Sequence, residues 1–128
     1  MGGFNTIGGG LESWHHVDTL IVDTAPGTYT SWQTVDVSSI VGSRHAMLFI
    51  AVKANLADKP CAFHFRSNSD DDSIVDANVA QGCAGVYIST ALKIGYVIIE
   101  TDETGKFQWR TSEQVNSAAV RMWLRGYS

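Results

Sequence analysis

Cysteine, proline and charge are what this 128-residue chain has least of: two Cys, two Pro, and only 17% charged residues. Cys61 and Cys83 stand outside any CxxC spacing and away from a compact histidine pair, so neither a zinc site nor a disulfide framework is read from them. They read as buried thiols, small hydrophobes of a core, and a Cys61–Cys83 bridge stays open if their strands are neighbours. Nine basic against thirteen acidic residues give a net charge of −4, so no overall positive field exists to attract nucleic acid or an anionic membrane. Apolar runs such as Met47 to Val52 are too short to cross a bilayer, and the first residues lack the basic and apolar segments of a secretory signal. Nucleic acid and membrane are therefore not expected as partners.

What is present favours strands. Hydrophobic residues make up 45% of the chain, enough for one domain to build a core without metal or disulfide, and twelve glycines punctuate a supply of Val, Ile, Thr and aromatic residues. The first ten residues hold five of those glycines, with Phe4 and Ile7 as isolated apolar anchors. Residues 1–12 are read as a flexible arm whose Phe4 and Ile7 dock onto a neighbouring subunit, or else as a plain disordered tail. Residues 13–128 are read as the folded domain.

From Ser13 onward short strands alternate with turns about every ten residues, the pattern of a sandwich or barrel. Strands are expected at Trp14–Asp23, Ser31–Val37, Ala46–Ala54, Cys61–Arg66, Gly85–Ser89, Gly95–Thr101, Phe107–Thr111 and Ala119–Tyr127. The 46–54 segment is apolar on both alternating faces and is expected to be covered on each side. In 61–66, Cys61, Phe63 and Phe65 share one face, and Ala62, His64 and Arg66 form an accessible outer one. Asp102-Glu-Thr-Gly105 places glycine where a left-handed residue closes a hairpin. Residues 112–119 allow one helical turn. About eight strands make the domain all-β, a two-sheet antiparallel β-sandwich of jelly-roll kind.

No catalytic, cofactor-binding or metal-ligating constellation stands out, and an enzyme is not expected. The acidic run at Asp70, Asp71, Asp72 and Asp76 has the oxygen donors that calcium needs, but the spacing of no calcium loop, and reads as a solvated turn. His15 and His16, adjacent on a strand, point to opposite faces. A His–Asp–Ser set can be assembled from Asp18, His64 and a serine, yet no G-x-S-x-G marks a nucleophile. The last strand is more informative. Val120, Met122 and Leu124 face inward, leaving Arg121, Trp123, Arg125 and Tyr127 outward, residue types enriched at protein interfaces and sugar platforms. Trp14, Trp32 and Trp109 are assigned to the core or to sheet edges.

Taken together, Trp32-Gln-Thr-Val-Asp-Val-Ser-Ser39, Phe63-His-Phe-Arg66, Thr101-Asp-Glu-Thr-Gly-Lys-Phe-Gln-Trp109 and the closing Val120-to-Tyr127 strand resemble small β-sandwich proteins of tailed bacteriophages, the capsid decoration (cement) proteins and related jelly-roll modules of head spikes and tail fibres. The resemblance spans roughly residues 30 to 128. It implies a virion protein, assembled in the host cytoplasm, that stands on the major capsid protein as a homotrimer and stabilises the head, with residues 2–10 as its arm. The family supplies no catalytic residues to carry over. The alternative is a carbohydrate- or receptor-binding module of a spike or tail fibre, using the Trp123 face or the Asp70–Asp76 loop with calcium.

Overall fold

A computed structural model describes residues 14–25, 29–55, 61–69, 84–88, 94–111 and 119–128. Phe4 and Ile7 of the arm, the Asp70–Asp76 run, Cys83 and residues 112–118 lie outside these segments. The strands are β1 (His15–Asp23), β2 (Gln33–Asp36), β3 (Met47–Asn55), β4 (Cys61–Ser67), β5 (Ala84–Ile88), β6 (Ile94–Glu100), β7 (Lys106–Thr111) and β8 (Ala119–Tyr127). One short helix, α1 (Ser38–Val41), follows β2.

The strands form two antiparallel four-stranded sheets, ordered β1-β8-β3-β6 and β2-β7-β4-β5. Partners run inward from the two ends: β1 with β8, β2 with β7, β3 with β6, β4 with β5. The chain is thus one long hairpin, tipped between β4 and β5 and wound so that successive strands on each arm alternate between sheets. That is the jelly-roll order.

Alternation in the sequence builds the core between the sheets. Leu48, Ile50, Val52 and Ala54 of β3 and Val120, Met122 and Leu124 of β8 are fully buried from one side, and Phe63, Phe65, Phe107 and Trp109 meet them from the other. Trp109 is flanked by Tyr29 at 5.3 Å and Phe63 at 6.2 Å between ring centroids, pairings that each add about 1 kcal/mol to the area they bury.

The 102–105 turn keeps its expected chemistry but not its expected topology. Gly105 is left-handed at φ 80°, yet β6 and β7 lie in different sheets, so the turn crosses the sandwich and closes no hairpin. Its surroundings explain why. Gly105 accepts from the Val37 N–H at 3.0 Å, and Thr101 donates to the Ala46 carbonyl at 2.9 Å, so the turn is tied to the segment around α1 on one side and to β3 on the other. The connection after β1 also crosses sheets.

Inside the turn, the Asp102 carboxylate accepts from the Thr104 N–H at 2.9 Å, the Thr104 hydroxyl at 2.7 Å, the Lys106 N–H at 3.1 Å and the Asn68 amide at 2.9 Å. Burial pushes its pKa up, but the bonds from Thr104, Asn68 and Lys106 outweigh burial and hold it at about 2.

α1 is absent from the sequence reading because four residues are too few to show helical periodicity. It begins where Asp36 accepts the Ser38 N–H at 2.9 Å and ends at Gly42, φ 90°.

Candidate docking face

The outward side of the β1-β8-β3-β6 sheet carries every large exposed hydrophobic among the described residues: Leu20, Met47, Ile94, Tyr96 and Ile98, each between 45% and 59% exposed. Strand register arranges them in rows. Leu20, Trp123, Ala51 and Tyr96 run across all four strands; Asp23, Arg121, Lys53 and Ile94 form the row on one side; His16, Gly126, Phe49 and Ile98 form the row on the other. Phe49 and Tyr96 stack at 5.5 Å. The footprint of such a sheet face, its charged residues included, is roughly 450 Å² from its strand spacing and rise, within the size range of apolar patches that are often functional.

Two ion pairs frame the patch, Arg121 with Asp23 at 3.2 Å and Arg125 with Asp18 at 3.4 Å. Both are exposed, and each contributes about 0.5 kcal/mol to stability. Between the rows, Trp14, His16, Val17, Asp18, Phe49, Tyr96 and Arg125 line a shallow groove. Trp14 lies flat where Gly126 has no side chain: a Cβ at Gly126 would come within 2.3 Å of the indole.

Of the four β8 residues expected outward, Arg121, Trp123 and Arg125 are on this face. Tyr127 is not. A register shift between Phe49 and Ile50 inserts one extra residue into β8, which sets Tyr127 opposite the buried Leu48, packs it against the core and stacks it on His15 at 4.8 Å. A bulge leaves no trace in the alternation of a single strand. His15 and His16 point to opposite faces as expected. β3 departs from expectation in another way: its inner residues are buried, but among the described residues nothing covers Met47 on the outside.

The other sheet presents a different surface. Arg66 donates to Gln108 at 2.7 Å, and Gln108 to Thr34 at 3.1 Å, linking β4, β7 and β2. The Arg66 guanidinium lies 4.1 Å from the centre of the Trp32 ring, and that of Arg110 lies 5.8 Å away. Ala62 and His64 on this side are fully buried, which corrects the expectation of an accessible outer face for β4; only Arg66 reaches the surface. β4 runs between β7 and β5, and the row containing His64 is bounded by Arg110.

Comparison with protein-family models and with characterised sequences returns no match.

No group of three or more His, Cys, Asp or Glu is placed to hold a metal ion among the described residues. Asp18 and His64, drawn together in the His–Asp–Ser reading, belong to different sheets: Asp18 pairs with Arg125 on the apolar face, while His64 is buried in β4. Cys61 stands opposite Ile88 in the β4–β5 ladder. No helix among the described residues is long and apolar enough to cross a membrane. Sequence reasoning located the β8 part of the patch but missed Leu20, Met47, Ile94, Tyr96 and Ile98, whose shared face depends on strand order.

Proposed function

We propose that this chain is a structural component of an assembled particle, docking through the outer face of the β1-β8-β3-β6 sheet. The observation that carries this reading is the gathering on one sheet of all five large hydrophobics exposed among the described residues, framed by two ion pairs. A partner covering that face gains from apolar burial at its centre, while the charged rim sets orientation. The resemblance to capsid decoration proteins of tailed bacteriophages supplies the setting: the partner is the major capsid protein, and binding only the assembled head stabilises the head by mass action. Co-sedimentation with heads built from the major capsid protein of the same genome tests it. Binding should saturate and should be lost in Leu20→Glu/Tyr96→Glu; heads that bind the chain and this variant equally refute it.

A second reading has its own observation. The groove sets Trp14, Phe49 and Tyr96 beside Asp18, His16 and Arg125, the mix of ring faces and hydrogen-bonding groups that holds a sugar. Selective retention of particular glycans on an array, lost in Tyr96→Ala, would favour this binding module over a capsid component.

A further inference from the structure

We infer that β6 is a self-association edge: two copies of this chain pair β6 with β6 about a two-fold axis at Val97, joining their β1-β8-β3-β6 sheets into one. The inference concerns a strand edge and does not rest on the particle reading.

The backbone of β6 is half used. Thr101 donates its N–H to Ala46 at 2.9 Å, so that pair is hydrogen-bonded, and such pairs alternate along an antiparallel ladder. Gly95, Val97 and Ile99 therefore turn their N–H and C=O groups to β3. Ile94, Tyr96, Ile98 and Glu100 turn theirs to the opposite edge, where no strand pairs among the described residues.

Sheet edges are commonly blunted by lysine, proline, bulges or shortness. β1 carries two register shifts, and β2 and β5 are four and five residues long. β6 has none of these devices: it runs seven residues in unbroken register with β3, with no lysine or proline.

The edge is also complementary to itself. A two-fold at Val97 sets Tyr96 opposite Ile98 of the second copy and Ile94 opposite Glu100 of the second copy. Residues with outward backbone groups thus meet their like along the whole strand, and Tyr96 and Ile98 form an apolar cross-strand pair on the exposed face. The one charge on the strand fits as well. The two Glu100 carboxylates fall roughly 20 Å apart at the usual strand rise, well beyond a screening length of about 8 Å. Each joins the row of Ile94 and Lys53 in the other copy, where the charge is of opposite sign.

One seven-residue strand per copy is far less than the ~20–30 residues a side of a standard interface, so the pair should form in a concentration-dependent way, in the upper micromolar range. It is a different assembly from the trimer that the phage resemblance implies.

Sedimentation velocity and native mass spectrometry from low micromolar to millimolar concentration should show a monomer–dimer equilibrium. Amide exchange followed by NMR reads the register: Tyr96, Ile98 and Glu100 should gain protection as concentration rises, while Gly95, Val97 and Ile99 are protected throughout. Ile98→Pro removes an outward N–H and no β3 bond, and should weaken the dimer at least about tenfold with circular dichroism unchanged. Should that variant not fold, Tyr96→Lys/Ile98→Lys, which brings lysines face to face, should do the same. A chain that stays monomeric at millimolar concentration, an oligomer whose Tyr96 and Ile98 amides stay exposed, or a dimer untouched by both variants would overturn the inference.

Discussion

The two sheets share one core but differ on their outward sides. On β2-β7-β4-β5, polar groups link neighbouring strands: Arg66 binds Gln108, Gln108 binds Thr34, and two guanidinium groups gather over Trp32, whose own ring N–H is buried without a hydrogen-bond partner among the described residues. On β1-β8-β3-β6 the apolar rows end in water, and the ion pairs stand at the rim. A surface of exposed Leu, Ile, Met and Tyr in register gains free energy when a partner covers it, and this contrast is what marks it as the candidate docking face.

Substitutions can break or sharpen that contrast. The largest effect should come where both sheets are joined: Gly105→Ala meets a left-handed backbone and puts its Cβ 2.5 Å from the Gly42 carbonyl oxygen, and should cost roughly 3 kcal/mol, seen as a lowered urea midpoint for the whole domain.

Asp102 comes next. Its folded pKa of about 2 lies below the ordinary 3.8, so its contribution is fully present above pH 4 and is lost as pH falls through the folded value. The contribution is about 2 kcal/mol. Urea denaturation across that window should show the fall in the wild type and a much flatter profile in Asp102→Asn, which should also be less stable at neutral pH.

Trp32→Ala tests the polar face: removing the ring beneath Arg66 and Arg110 should cost about 1 kcal/mol of stability with no change in the capsid binding proposed above. Ile98→Lys tests the other face with the opposite signature. Ile98 is the most exposed of the five hydrophobics, so stability should stay within about 0.5 kcal/mol of wild type, while the proposed binding to heads falls sharply. If Ile98→Lys destabilised more than Trp32→Ala, the division of roles would be reversed.

Much of the fold was legible because it is written in local alternation. Val120, Met122 and Leu124 announced their inward face, Phe63 and Phe65 theirs, and Gly105 its left-handed turn. What sequence could not supply is pairing between distant strands. The Asp102–Gly105 turn looks the same whether it closes a hairpin or crosses a sandwich, and only the bonds to Ala46 and Val37 decide. The double-sided apolarity of β3 implies cover on both faces, and the outer side follows it only in part: Ala51 is buried and Phe49 half-buried, while Met47 is exposed on the candidate docking face. Tyr127 was turned inward by one extra residue in β8, and Ala62 and His64 are buried although their alternation reads as an outward face. The candidate site was visible only as its β8 contribution, Arg121, Trp123 and Arg125, since the residues beside them come from β1, β3 and β6.

The placement of β8 bears on the order in which the domain can be completed. β8 lies between β1 and β3, and among the described residues β1 has no other partner in its sheet. During synthesis the first strand must therefore wait for the last. Until residues 119–127 emerge, β1 lacks the one strand it pairs with among the described residues and β3 shows an unpaired edge as well as its apolar side, so a chain halted before Ala119 lacks two strands of the sheet, not one.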